Sequence, residues 1–245
     1  VVDILFGKVN PSGKLPETIP YQLEDNPSYL YYSGEGDRVE YREGVFVGYR
    51  YYDKKKMAVR FPFGYGLSYT TFAYSEPKIS AQRIQDTDTV TIRVDVTNTG
   101  DRAGKEVVQL YYDPPYTDFD EESKIEKPTA TLVAFTKTDV IEPGDDVTVE
   151  LKFSKEEMSS YCYTRENPDG TEGCYMLEAG DYEISLRKNS HEIIDTETWT
   201  NSETVWFDNS NPRQLEKDMQ AAMDEEGNLL DYPAKKAVDP DAEFI

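Results

Sequence analysis

From about residue 70 to about residue 200, apolar and polar residues alternate in short runs, and this two-residue period constrains the fold more than any other feature. In VTIRVDV at 90–96, every second residue is Val or Ile. Because successive side chains of a strand point to opposite faces, such a run has one apolar and one polar face. Similar runs occur at 108–112, 132–135, 147–153, 182–186 and 193–199. About seven such strands predict an antiparallel β-sandwich.

Turn signals separate these runs, and one of them lies between the two cysteines of the chain. Asn167-Pro168-Asp169-Gly170 is typical of a hairpin turn, with Cys162 before it and Cys174 after it. The two cysteines are therefore expected to lie nearly opposite each other. A disulfide is geometrically possible there, whereas two free thiols are the more common finding in a cytosolic protein. Both alternatives remain open, and the second favours a cytoplasmic location.

The charge balance excludes some classes of partner. Acidic residues outnumber basic ones 48 to 26, which gives a net charge of −22. This charge repels phosphate backbones and anionic lipids, so neither nucleic acid nor a membrane surface is expected as a partner. No apolar run approaches the roughly 18 residues of a membrane span.

Acidic residues are dense in the loop from Asp113 to Lys127, which contains Asp118, Asp120, Glu121, Glu122 and Glu126. Carboxylates could bind calcium, but their spacing does not match a calcium-binding loop. We therefore expect a solvated acidic loop, and no metal or cofactor is predicted anywhere in the chain.

Residues 1–69 lack the alternation and are rich in aromatic residues and glycine. This difference predicts the end of a separate domain, and its first residues, VVDILFG, resemble a buried helix or strand. The region contains a group of closely spaced tyrosines. They are interpreted either as packing in a core or domain interface, or as surfaces on which sugar rings stack. They are Tyr29, Tyr31, Tyr32, Tyr41, Tyr49, Tyr51 and Tyr52.

Few residues suggest catalysis. Glu40 and Glu43, with Asp37 nearby, could suggest a carboxylate pair, but structural hydrogen bonding near Arg38, Arg42 and Arg50 is the preferred interpretation. His191 is the only histidine, so the chain alone cannot form a Ser-His-Asp triad or a histidine metal site. It is expected on the surface or in a turn. No catalytic, cofactor-binding or metal-binding residue is predicted.

Three strings carry a resemblance to a known family: ILFGKVNPSGKLPETIP at 4–20, EGVFVGYRYYD at 43–53 and FPFGYGLSYTTF at 61–72. Together they resemble glycoside hydrolase family 3, at the point where its α/β sandwich domain ends. The string VTNTGDRAGKEVVQLYY at 96–112 resembles strands of the fibronectin type III-like domain that follows. The resemblance implies three regions. They are the C-terminal part of an α/β sandwich domain at 1–69, a fibronectin type III-like β-sandwich at 70–206 and an acidic linker or tail at 207–245.

The resemblance also implies a function for the whole protein. Enzymes of this family use an Asp nucleophile on a TIM-like barrel and a Glu acid/base on the α/β sandwich, and neither falls on a residue of this chain. The chain is thus expected to be a non-catalytic C-terminal or central portion of a retaining exo-β-glycosidase, most closely a β-glucosidase. Its expected partners are the remainder of the same enzyme and a β-glucoside oligosaccharide. The loop at 113–127 and the hairpin at 161–175 are candidates for the rim of the active site.

Two further interpretations remain open. The ending from residue 166 onwards resembles a subgroup in which the barrel follows the fibronectin-like domain. The tail from Phe207, with a short helix from about Gln214 to Glu226, could lead into that barrel. The alternative function is a scaffold that binds carbohydrate or protein through exposed aromatic residues and has no part in catalysis.

Overall fold

The structure, a computed structural model, describes residues 1–32, 34, 36–75 and 89–221, with side chains as far as residue 217. Within these ranges it contains ten strands and four short α-helices. The strands are β1 (Phe72–Tyr74), β2 (Thr89–Asn98), β3 (Val107–Asp113), β4 (Thr131–Lys137), β5 (Asp146–Ser154), β6 (Ser160–Glu166), β7 (Glu172–Leu177), β8 (Gly180–Arg187), β9 (Ile193–Asn201) and β10 (Val205–Phe207). The helices are α1 (Val2–Leu5), α2 (Tyr49–Lys55), α3 (Asp118–Ser123) and α4 (Gln214–Ala221).

Two antiparallel sheets form the sandwich, one in the order β1-β2-β5 and the other in the order β4-β3-β8-β9. Strands β2 and β5 pair without a break from Thr89–Ser154 to Thr97–Asp146. The alternate apolar residues of both sheets meet in one core. At its centre Tyr182 packs against Trp199, with ring centroids 5.3 Å apart. The predicted alternation therefore corresponds to the buried faces of the two sheets.

A third sheet, in the order β10-β7-β6, extends the sandwich beyond the seven strands expected. The turn at 167–170 closes the hairpin β6–β7, and Cys162 lies directly opposite Cys174. Both cysteines are buried free thiols. Cys162 shares a small apolar cluster with Ile125 and Met176, against which Trp206 packs. The hairpin prediction is thus confirmed, whereas β10 extends one residue past the predicted domain boundary at 206.

The segment before the sandwich is mostly irregular. Besides α1 and α2 it contains a 3-10 turn at Leu23–Asp25 and an isolated bridge between Ile19 and Phe61. The expectation that VVDILFG is buried is wrong for this chain, because Leu5 and Phe6 are 73% and 79% exposed. A four-residue helix has too little surface to bury an apolar face of its own, and no residue of α1 is buried.

At the other end, α4 begins where the tail was expected to form a helix. Residues 222–226 of that prediction lie outside the described residues. Within the described part, no helix is long and apolar enough to cross a lipid bilayer. The limits of the three regions stay predictions.

Candidate functional site at the junction of the two domains

Tyr49, the first residue of α2, links residues 1–69 to the sandwich. Its ring stacks on Phe63 at 4.5 Å and meets the edge of Tyr111 from β3 at 6.2 Å. Its hydroxyl accepts a hydrogen bond of 2.9 Å from the backbone N–H of Leu132 in β4. One side chain therefore contacts two strands of the sandwich. We define the junction as the set of contacts between residues 1–69 and the sandwich.

The buried side chain of Gln109 is the polar centre of the junction. Its amide nitrogen donates to the carbonyl of Gly64 at 3.2 Å and to that of Lys188 at 2.8 Å. Its amide oxygen accepts from the Tyr111 hydroxyl at 2.9 Å. Gly64 has φ +79°, and a Cβ added there would collide with the Gln109 amide. Glycine is therefore required at position 64 both for the backbone conformation and for space.

A second polar group joins α2 to the turn between β8 and β9. His191 Nε2 lies 2.7 Å from Asp53 Oδ1. Burial raises the pKa of Asp53, and His191, Ser190 and Arg187 act against that rise. The prediction for His191 is confirmed in that the residue lies in a turn with an exposed ring. Its partner could not be predicted, since 138 positions separate the two residues.

Arg187 and Asp113 lie next to this pair. The Arg187 guanidinium is buried over the Tyr111 ring, and it lies 3.4 Å from Asp113. Its Nη1 donates to the Ser190 carbonyl at 2.9 Å. Burial raises the pKa of Asp113 to about 6, although Arg187 opposes the rise. Because desolvation outweighs the attraction to one arginine, this carboxylate is destabilised in its charged form.

At the end of the junction near β1, polar contacts replace aromatic ones. Lys14 Nζ lies 2.8 Å from Glu106 Oε1, and both side chains are largely buried. The Asn10 amide donates to the Ala103 carbonyl at 3.0 Å. Next to the junction, on the sandwich side, the Thr70 hydroxyl donates to Asn98 Oδ1 at 2.6 Å, where both residues are buried. Together with the bonds of Tyr49 and Gly64, these contacts show that residues from all three family-like strings bond directly to the sandwich.

The acidic loop is not uniformly solvated as expected. Asp120 is completely buried, and its Oδ2 accepts from the buried Lys127 Nζ at 2.7 Å. Lys127 also forms an ion pair with Glu178 and donates to the Pro115 carbonyl at 2.9 Å. The prediction is wrong for Asp120 because this lysine gives the carboxylate a partner inside the fold. Within the described part of the chain, no group of three or more His, Cys, Asp or Glu residues is placed to hold a metal ion.

The carboxylates that could have suggested catalysis do not share one set of contacts. Glu40 Oε2 accepts from Arg42 Nε at 2.6 Å, and both side chains are more than half exposed. Arg50 lies instead over the Tyr49 ring, 5.9 Å from its centroid. The structural interpretation thus fits Glu40, and the absence of a catalytic residue stays a prediction.

The tyrosines of residues 1–69 divide into two groups. Tyr49 packs in the junction and Tyr52 is 3% exposed, so both fit the packing interpretation. Tyr29, Tyr32 and Tyr41 are 43%, 83% and 89% exposed. Exposed rings of this kind are available to a partner or a ligand.

Comparisons with known families cover both parts of the junction. Residues 1–69 match the glycosyl hydrolase family 3 C-terminal domain, and residues 106–190 match the fibronectin type III-like domain. The predicted fold class, a fibronectin type III-like sandwich preceded by the end of an α/β sandwich domain, is confirmed by these matches and by the structural neighbours below.

Individual relatives show the same resemblance. The chain is 40% identical over 205 residues to thermostable β-glucosidase B of Acetivibrio thermocellus. The aligned region covers 84% of this chain and 25% of that protein. It is 41% identical over 204 residues to probable β-glucosidase I of Aspergillus clavatus, covering 81% of this chain and 24% of that protein. The chain thus spans about a quarter of the length of these relatives.

Solved structures of β-glucosidases also superpose on this chain. β-Glucosidase 3B from Thermotoga neapolitana, in complex with α-D-glucose, superposes with a TM-score of 0.70 at 37% identity, over 84% of this chain and 27% of that chain. The β-glucosidase from Kluyveromyces marxianus in complex with glucose has the same TM-score and identity, over 84% of this chain and 23% of that one.

Proposed function

Because the chain belongs to glycoside hydrolase family 3, we propose that it is the non-catalytic portion of a retaining exo-β-glycosidase. The proposed whole enzyme is a β-glucosidase that hydrolyses terminal β-D-glucosyl residues of β-glucoside oligosaccharides. In this proposal the fibronectin-like sandwich braces the α/β sandwich domain, while the nucleophile and the acid/base belong to other parts of the enzyme.

The observation that carries the proposal is that hydrogen bonds join residues 1–69 to the sandwich across the junction. Gln109 of the sandwich donates a hydrogen bond to Gly64, and Tyr49 accepts one from Leu132 of the sandwich. The Tyr49 ring also stacks on Phe63 of its own part. If the parts separated, the buried amide of Gln109 would lose its bond to the Gly64 carbonyl, and Tyr49 would lose its bond to the Leu132 N–H, so displacement is costly. A sandwich attached in this way supports its neighbour mechanically without supplying a reacting group.

An apolar surface supports the proposed contact with the rest of the enzyme. A groove of about 810 Å³ opens on the segment before the sandwich. Its lining is mostly apolar, and apolar side chains that line an open groove are suited to contact with another part of a protein. We propose that the remainder of the α/β sandwich domain covers it. The apolar lining consists of Ile4, Pro11, Leu15, Ile19, Phe61, Tyr65, Leu67 and Tyr69.

The alternative function is a scaffold that binds polysaccharide. The exposed tyrosines favour it because their rings can contact a ligand, and one experiment tests both functions. Hydrolysis of p-nitrophenyl β-glucoside is measured for this chain and for the full-length enzyme, and this chain is also incubated with insoluble glucan. The proposal predicts turnover by the full-length enzyme and none by this chain. Turnover by this chain that one carboxylate substitution abolishes would overturn the proposal, and retention on glucan without activity of the full-length enzyme would favour the scaffold.

A further inference from the structure

A cleft of about 400 Å³ lies between residues 24–55 and the sandwich loop that ends in Lys127. This volume falls at the lower end of the range for small-molecule sites, about 300–1,000 Å³. Its lining combines aromatic rings with charged side chains. The aromatic residues are Tyr29, Tyr31, Phe46 and Tyr51, and the charged residues are Glu24, Glu43, Glu126, Arg42, Lys54 and Lys55.

The charges of the lining point to an uncharged ligand. The lining contains three carboxylates and three cations, so neither sign of charge is in excess among the lining residues themselves. Arg42 is paired with Glu40 and lies over the Tyr31 ring. Among the described residues, none forms an ion pair with Glu24, Glu43 or Glu126 within 4.0 Å. Their oxygens are therefore available to accept hydrogen bonds from hydroxyl groups.

The aromatic rings supply the complementary apolar surface. Tyr29 is 43% exposed and Phe46 is partly exposed, whereas Arg42 and Lys55 lie against the rings of Tyr31 and Tyr51. The C–H face of a pyranose packs against such rings, while its hydroxyl groups bond to carboxylates at the edge. A flat ring with a rim of hydroxyl groups matches this combination better than a purely apolar or an ionic molecule.

The sandwich fixes one of these carboxylates in place. Glu126 precedes Lys127, whose buried ammonium group is held by Asp120 and Glu178. A Cβ built on Gly44 would lie 2.8 Å from Glu126 Oε2, so the loop approaches the backbone of the other domain closely. Because the buried ion pairs restrain the loop, Glu126 is held at the cleft before any ligand binds.

We infer that this cleft is a saccharide-binding site that takes one or two neutral glucosyl units. The inference rests on the proposed function, which supplies the β-glucoside as the ligand class. It assigns a binding role to the tyrosine-rich segment and to the acidic loop.

Titration of this chain with cellobiose, followed by ¹H–¹⁵N NMR, tests the inference. We expect saturable shifts of residues lining the cleft. The substitutions Tyr29→Ala and Glu126→Gln should each raise Kd about tenfold, the loss that follows from one stacking contact or charge-assisted hydrogen bond. Tyr161→Ala and Glu197→Gln, which change exposed residues of β6 and β9 outside the cleft, serve as matched controls and should leave Kd unchanged.

The absence of saturable shifts would overturn the inference, as would equal Kd values for the cleft and control variants. Such a failure remains distinguishable from failure of the proposed function, because hydrolysis of p-nitrophenyl β-glucoside by the full-length enzyme is measured separately.

Discussion

Lys127 shows most directly how a single residue organises this chain. Its ammonium group is 2% exposed and serves two carboxylates and one carbonyl. The charge excess of the loop predicts solvation, yet the fold buries Asp120 because Lys127 pairs with it and with Glu178, which lie 7 and 51 residues from the lysine in sequence. Contacts between such distant positions leave no trace in the local pattern of residues.

Removal of this lysine should be severely destabilising. In Lys127→Met, Asp120 and Glu178 would stay buried without a cation, and breaking a buried pair in this way costs about 3–5 kcal/mol. Urea unfolding of this chain measures the effect. Lys137→Met, at an exposed lysine of β4, is the control and should change the free energy of unfolding by less than about 0.5 kcal/mol. Equal stability of the two variants would contradict the role assigned to Lys127.

Asp113 should make stability depend on pH. Its folded pKa, about 6, lies above the ordinary value of 3.8, so the folded state favours the protonated form. The stability contributed by this group is complete below about pH 3.8 and is lost as the pH rises through about 6. We expect Asp113→Asn to gain stability relative to the unmodified chain between pH 4 and pH 7. Urea unfolding across this range checks it, and a difference that does not vary with pH would be inconsistent with the raised pKa.

At the scale of elements, the alternation of residues predicts β2, β3, β4, β5, β8 and β9, because each has one face against the core. Several elements are not predicted, and two of them show why. The strand β10 has only three residues, too few to show a period. Helix α3 lies in the acidic loop, although Thr117 and Asp120 form a capping box that provides a local signal for its start.

The close contact between Gly64 and Gln109 of β3 can be tested by comparing Gly64 with Gly144, a glycine of similar backbone conformation. Gly64 and Gly144 both have positive φ, but an added Cβ meets the Gln109 amide at position 64 and open space at position 144. Gly144→Ala should cost about 1–2 kcal/mol through the backbone alone. Gly64→Ala should cost a further 1–3 kcal/mol, or about as much as overpacking a core. Thermal unfolding of both variants measures the difference, and equal losses would exclude the close contact.

At the scale of the whole molecule, the family-like strings predict the order of domains but not the way in which they meet. The strings place a domain end before a sandwich, which the family matches confirm. The pairing of Asp53 with His191 and the threefold bonding of Gln109 depend on the folded arrangement of distant residues. The junction could therefore be located from the sequence, whereas its hydrogen bonds could not.

The central claim, that the sandwich braces a catalytic neighbour through the junction, concerns the full-length enzyme. The most direct measurement is the half-life of its p-nitrophenyl β-glucosidase activity at elevated temperature, with Gln109→Ala compared with the exposed control Glu197→Gln. Loss of three buried hydrogen bonds should cost about 2–4 kcal/mol, so we expect the Gln109→Ala enzyme to lose activity at least about tenfold faster. An unchanged half-life in an enzyme with the altered junction would contradict the account.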